Sequence, residues 1–341
     1  MNTKMTRAPS LYPTLIFETL TAYRRTAALR AAIELDVFTA IAAGADTVGA
    51  LAHHCAASER GMRILCDCLV VLGFLAKDGG RYALTPESAQ FLDRRSPLYM
   101  GTLADFLNSP LISRGFDEVA AAVRKGGTAL DDAGTLDPDH PVWVEFARGM
   151  APRAALTSDL LAGAVDLDPN TSHRILDVGA GHGLFGIAIA KRCPTAEVVA
   201  VDWGAVLQVA VENARAAGVS ERFHTVPGSA FDADLGSGYD LVLLMNFLHH
   251  FDAPACDRLL RRIDAALAPG GRAITLDFMP NEDRVSPPSA AFFSLAMLVT
   301  TPSGDAYTFG DYERMFRRAG FARSELRPLL PSPQHVVVSF K

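Results

Sequence analysis

The sequence predicts an α/β fold, a mostly parallel seven-stranded sheet with helices on both faces, preceded by a mainly helical domain. Two observations carry this. From Arg174 onward, short apolar runs alternate with helical patterns: RILDV, EVVAVD, RFHTVP, YDLVLLM and GRAITLD, then the hairpin-like pair ARSELRP and QHVVVSF. Before Arg174 the apolar residues recur mostly at helical spacing. A chain of 341 residues, 49% of them hydrophobic, exceeds the usual single-domain size, so more than one domain is expected. The changes of pattern set the boundaries at 1–98, 99–170 and 171–341.

Taken in order, Leu15–Ala42 reads as a helical hairpin with Arg24, Arg25 and Arg30 on its outer side. It carries more apolar surface than one small domain can cover, which predicts a homodimer formed by the N-terminal domain. From Thr47 to Leu84 two short helices lead into a β-hairpin turned at Asp78-Gly79-Gly80, the pattern of a winged helix. A winged helix suggests DNA. Yet Arg60, Arg63, Lys77 and Arg81 are balanced by Glu59, Asp67, Asp78 and Glu87, so the basic stripe that phosphate neutralisation requires is missing. A dimerising role is the better reading, and a ligand-sensing regulator is the non-enzymatic rival. Residues 99–170 read as helical around a Gly- and Asp-rich surface loop, Arg124–Pro141. The parallel sheet that follows places its ligand crevice at the carboxyl ends of the strands.

The formal net charge of −6 provides no field to gather nucleic acid or an anionic membrane, which leaves a small-molecule partner. The first residues, MNTKMTRAPSLYP, hold no apolar core of signal-peptide length and the longest apolar runs are too short to span a bilayer, so a cytoplasmic protein is expected. Five scattered cysteines suit reduced thiols. His53, His54, Cys55, Cys66 and Cys68 have the composition of zinc ligands, but irregular spacing within apolar helical runs points to core packing, and no metal site is expected.

The segment LDVGAGHGLFG carries the ligand question. Gly181-His182-Gly183-Leu184-Phe185-Gly186 matches G-x-G-x-x-G, and Asp202 ends the next strand, as a dinucleotide fingerprint would have it. Asp177 argues otherwise. A carboxylate at the mouth of the glycine turn would repel a pyrophosphate and attract a cation. S-adenosylmethionine has a cationic ammonium and sulfonium and no phosphate, so Asp177 with the close-approaching backbone of Gly179, Gly181 and Gly183 suits it. Asp202 is placed to accept from the ribose hydroxyls and Trp203 to offer a face to adenine. Ser229, Ala230 and Phe231 border the same crevice after the third strand. Asn246 follows the fourth.

The order of motifs resembles the S-adenosylmethionine-dependent O-methyltransferases of the caffeate and acetylserotonin type and their bacterial natural-product relatives. The likeness runs from TAALRAAIELDVFTAIA through LDVGAGHG, LLMNFLHHFDAPACDRLL and LAPGGRAITLDFMP to TFGDYERMFRRAGF. It implies a Rossmann-like class I methyltransferase domain behind a winged-helix dimerisation domain, with S-adenosylmethionine as cofactor. It further implies a general-base histidine after the fourth core strand, which aligns with His249 and puts His250 where an acid usually stands. Methyl transfer needs an aligned acceptor, and a histidine can remove that acceptor's proton. The first of the two family acids that orient the base corresponds to Asp277, one carbon shorter than the usual glutamate. The second falls near Ala306, whose only acidic neighbour is Asp305, so the base is expected to be poorly supported. That departure keeps carbon methylation open, with His249, His250 and Asp277 as a partial metal site. Phe106, Met150, Phe292, Phe293 and Met297, with Asn246, are the candidates for an apolar acceptor pocket.

Overall fold

The computed structural model describes residues 12–130 and 142–341. Two compact units divide the chain, Met1–Ala104 and Asp105–Lys341. Of the Arg124–Pro141 loop expected from the sequence, residues 131–141 lie outside the described residues.

In the first unit the chain opens with three helices, α1 (Thr14–Leu20), α2 (Tyr23–Glu34) and α3 (Val37–Ala42), where the sequence suggests a two-helix hairpin. The additional break falls at Asp36, whose φ of 57° turns the chain through the left-handed region. Helices α4 (Val48–His54) and α5 (Glu59–Val71) follow. They are N-capped by the Thr47 and Ser58 hydroxyls, which accept from the Ala50 and Gly61 amides. Strands β1 (Leu75–Asp78) and β2 (Arg81–Leu84) pair antiparallel. Gly79 and Gly80 both have positive φ, the requirement of a type I′ turn. Helix α6 (Pro86–Phe91) closes the winged-helix pattern. Phe38, Leu51, Met62, Leu69, Leu75 and Tyr82 form its core. Helix α1 buries nothing, and Leu15 is 77% and Leu20 68% exposed.

Helix α7 (Leu103–Leu107) leads into the second unit. There α8 (Pro110–Asp117), α9 (Val119–Lys125) and the long α10 (Val142–Ala164) precede a seven-stranded sheet. Its elements in chain order are β3 (Arg174–Val178), α11 (Leu184–Arg192), β4 (Glu197–Asp202), α12 (Gly204–Ala216), β5 (Phe223–Pro227), β6 (Tyr239–Met245), α13 (Ala253–Ala266), β7 (Leu267–Asp277), α14 (Pro288–Thr300), α15 (Phe309–Ala319), β8 (Arg323–Pro328) and β9 (His335–Phe340). The spatial order is β5-β4-β3-β6-β7-β9-β8, parallel except for β9.

Strand residues alternate between the two faces. Ile175, Leu241, Leu243 and Ile274 pack with α10, α11 and α12. Leu176, Val242, Leu244 and Ala273 pack with α13 and α15. Both faces are covered, which is why β6 reads as a continuous apolar run rather than an alternation. Burial of each of its leucines contributes about 1.5–3 kcal/mol. The strand order reverses between β3 and β6, so the crevice opens at their carboxyl ends, where Gly179 and Asn246 stand.

Candidate active site

Two adjoining cavities occupy this crevice. The first, of about 240 Å³, is lined by Gly179, Gly181, Asp202, Trp203, Ser229, Ala230, Phe231 and Asn246 of the sequence-predicted set. Gly179 has a φ of +66°, and a Cβ there would overlap the Phe247 ring, so both conformation and space demand glycine. The Gly181 amide donates to Asp202 Oδ2 at 2.7 Å, and the Trp203 amide donates to Oδ1 at 2.7 Å. The carboxylate thus ties the glycine turn to the end of β4, and each oxygen keeps a lone pair for a ligand. Burial pushes the Asp202 carboxyl up to about 6.

Asp177 and Gly183 are placed differently from the ligand contact expected of them. Neither borders the cavity. Asp177 is buried, and its Oδ2 accepts from the Gly186 amide at 3.2 Å in the first turn of α11, the position where a carboxylate stabilises a helix. Desolvation, with the nearby Asp202 charge adding to it, pushes its carboxyl up to about 7. Gly183 caps α11 at a φ of +72°, and a Cβ there would meet Ala210 and Phe223. The carboxylate at the glycine turn is therefore a structural tie, and Asp202 is the acid that faces the ligand space.

The second cavity, of about 420 Å³, takes in Phe106, Met150, Phe292, Phe293 and Met297, with His249, His250 and Asn246. Phe292 lines it at the rim, 73% exposed. Trp143, Phe146, Asn246 and His250 border both cavities, which adjoin along this shared wall. Nothing in the sequence marks Trp143 or Phe146 for that place, since an aromatic pair on α10 has the look of ordinary helix packing. Both His250 Nδ1 and Trp143 Nε1 are enclosed without a hydrogen-bond partner among the described residues, and their rings meet edge to face at 5.2 Å. Burial, reinforced by His249, holds His250 well below the usual histidine range. The shared wall is then uncharged there.

His249 sits on a short turn, Leu248–His250, after β6. It is buried, and Nδ1 donates to Asp277 Oδ1 at 2.8 Å and Oδ2 at 3.0 Å. That contact fixes the tautomer and leaves Nε2 as the ring's acceptor. The shorter acid therefore reaches the histidine. Asp277 also accepts from the Phe278 amide at 2.8 Å and from the Tyr312 hydroxyl at 2.7 Å. Ala306 is buried and Asp305 is spent on Arg284, and Tyr312 of α15 takes the place of a second acid by donating to the first. Burial beside Asp277 raises the Tyr312 hydroxyl well above its usual range, so it stays a donor. The pairing spans 35 residues and has no local signal in sequence. With Nδ1 of His249 engaged this way, no group of three His, Cys, Asp or Glu side chains converges as a metal site among the described residues.

No lysine or arginine among the described residues lines the first cavity to neutralise a pyrophosphate, while one half-buried carboxylate, a glycine backbone and several rings suit a cationic nucleoside. A crevice of this composition, on a sheet of this order and beside a histidine held by an acid, defines a class I methyltransferase.

Residues 124–322 match the O-methyltransferase domain and residues 17–94 the O-methyltransferase dimerisation domain. The chain is 32% identical over 314 residues to 3-hydroxy-5-methyl-1-naphthoate 3-O-methyltransferase of Streptomyces sahachiroi, with 90% of this chain and 89% of that one covered. A Nostoc punctiforme protein of O-methyltransferase type superposes with a TM-score of 0.92 at 52% identity, over 97% of this chain and 100% of that one. Human N-acetylserotonin methyltransferase, crystallised with S-adenosylmethionine, shares the fold at 24% identity, with a TM-score of 0.83 over 98% and 99% of the two chains. The chain belongs to the O-methyltransferase family. It is an enzyme that methylates oxygen, with S-adenosylmethionine as the methyl donor.

Proposed function

We propose that the enzyme methylates a phenolic hydroxyl of a small aromatic, polyketide-type metabolite, with His249 as general base. The observation that carries this reading is the Asp277-supported imidazole bordering an aromatic-lined cavity that shares a wall with the donor cavity. The naphthoate specificity named for the Streptomyces relative agrees with it. Gly179, Gly181 and Asp202 would hold the donor's nucleoside part, with Trp203, Ser229, Ala230 and Phe231 around it. When bound, S-adenosylmethionine supplies an electrophilic methyl group on a positively charged sulfur. His249 Nε2 takes the hydroxyl proton, and the positive charge that develops on the imidazole is stabilised by Asp277. Phe293, edge-on to His249 at 4.7 Å, confines the ring and excludes water. The helical stretch 99–170 contributes Phe106, Trp143, Phe146 and Met150 to the acceptor side. Incubation with isotope-labelled donor and a panel of phenols, hydroxyquinones and 2-oxo acids tests the reading. Mass spectrometry should find the label on oxygen of the aromatic members, and label on carbon would overturn it.

Tyr312 acts in this scheme as a positioning residue. Tyr312→Phe removes one hydrogen bond to a buried carboxylate, an interaction of about 1.5–3 kcal/mol. We expect kcat to fall about threefold to tenfold with donor affinity unchanged, measured by steady-state kinetics and calorimetry. An unaltered kcat would confine Tyr312 to packing.

The first unit pairs with a second copy in our reading. Helix α1 exposes Leu15, Ile16, Phe17 and Leu20 together, too continuous an apolar face for a free surface. Balanced charge on the winged helix argues against nucleic acid, and no helix of the described residues is long and apolar enough to cross a membrane. Cytoplasmic residence fits both points. Light scattering should give twice the chain mass, and Phe17→Glu with Leu20→Glu should shift it toward the monomer.

A further inference from the structure

The acceptor cavity holds an arginine that the proposed chemistry does not use. Arg153, next to Pro152 within α10, lines the second cavity. It forms no ion pair among the described residues, and its guanidinium lies over the face of Phe278, 5.0 Å from guanidinium carbon to ring centroid. Phe278 lies 4.8 Å from Phe293, whose ring meets His249, so guanidinium and imidazole border one cavity with two phenyl rings linking them. No aspartate or glutamate lines the cavity among the described residues. Burial lowers the His182 ring to about 4 and holds His250 well below the usual histidine range. Among the described lining residues Arg153 is thus the one permanently charged side chain, in a chamber walled largely by rings and aliphatic groups. Keeping a guanidinium partly desolvated beside a ring, with no counter-charge among the described residues, costs the fold energy, since a buried charge is best tolerated when paired. Burial accordingly pulls its pKa down from the usual arginine value. A planar fork of donors in such a place matches a carboxylate bidentately.

We infer that the natural acceptor is an aromatic hydroxy acid whose carboxylate pairs with Arg153 while its hydroxyl is presented to His249. The inference rests on the aromatic-acceptor reading above and adds the anion. Calorimetry on the full chain, saturated with S-adenosylhomocysteine, compares hydroxynaphthoates with the naphthols that lack only the carboxylate, across ring positions. For at least one pair the wild type should bind the acid about 10- to 100-fold more tightly, the range of a charge-assisted hydrogen bond. Arg153→Met should erase that preference, and Arg153→Lys should keep part of it. The methionine variant should also melt no lower than wild type, because an unpaired charge has been removed. Equal binding of acid and naphthol by the wild type overturns the inference and needs no variant. So does a preference that survives in Arg153→Met, or in Arg153→Gln should the former not fold. His249→Ala separates the two readings: it should lose turnover yet keep the preference for the acid. If no member of any pair binds, the aromatic-acceptor reading falls and the inference with it.

Discussion

His249→Ala is expected to lower kcat by about 10²–10⁴-fold, the usual contribution of a positioned general base, while leaving donor affinity nearly intact. The second half follows from placement. His249 borders the acceptor cavity and not the donor cavity, and its Nδ1 is committed to Asp277. Removing the ring takes away the proton acceptor without touching the glycine turn or Asp202. Steady-state kinetics with labelled donor, beside calorimetry of donor binding, measures both quantities. Turnover unchanged in a folded His249→Ala protein would remove His249 from the base role and leave positioning of the acceptor to explain the rate. Asp277→Asn should fall in the same direction, because a neutral amide cannot stabilise the imidazolium.

Asp202→Ala should weaken donor binding by about 100-fold or more, since charge-assisted hydrogen bonds contribute about 1.5–3 kcal/mol each and the carboxylate offers two. It also frees the Gly181 and Trp203 amides, so the turn itself loosens. Asp202→Asn separates these effects through pH. With its carboxyl pushed up to about 6 by burial, Asp202 is protonated in the free enzyme below that value and ionised above it. Donor affinity in the wild type should decline as pH falls through about 6, and the asparagine variant should show no such step. The stability of the free protein runs the opposite way. A carboxyl raised above its unfolded value favours the fold at low pH, and that contribution is lost as pH rises through about 6. Asp177, at about 7, acts in the same sense. Calorimetry across the pH range checks the affinity, and thermal melts check the stability.

The inner strands were readable because they are mostly buried on both faces, so that RILDV, EVVAVD and YDLVLLM are apolar enough to stand out from their surroundings, and because turns and caps are local. Asp78-Gly79-Gly80 makes its hairpin from within four residues, and Thr308 with Asp311 closes a capping box on α15. The donor side was legible for the same reason: glycines needing positive φ and an acid at a strand end are local signals. Asp177 shows the limit of such signals. A carboxylate beside a glycine turn can serve a ligand or a helix N-terminus, and both leave the same residue in the sequence.

By itself the sequence determined the α/β alternation, the winged-helix pattern ahead of it, the glycine turn, and the candidacy of His249 and Asp277, which the fold brings into contact. These rest on backbone conformation, hydrophobic period and short-range motifs. Only the tertiary structure decided that Asp202 faces the ligand space while Asp177 faces a helix, that Tyr312 donates to the carboxylate that holds His249, that Trp143 and Phe146 wall both cavities, and that Arg153 stands beside an aromatic ring with no ion pair among the described residues. Each of these depends on side chains brought together from distant parts of the chain by packing on one sheet edge. Contacts of that kind leave no period or spacing in the sequence, because what selects them is the shape and charge of an enclosed space that exists only once the chain has folded around it.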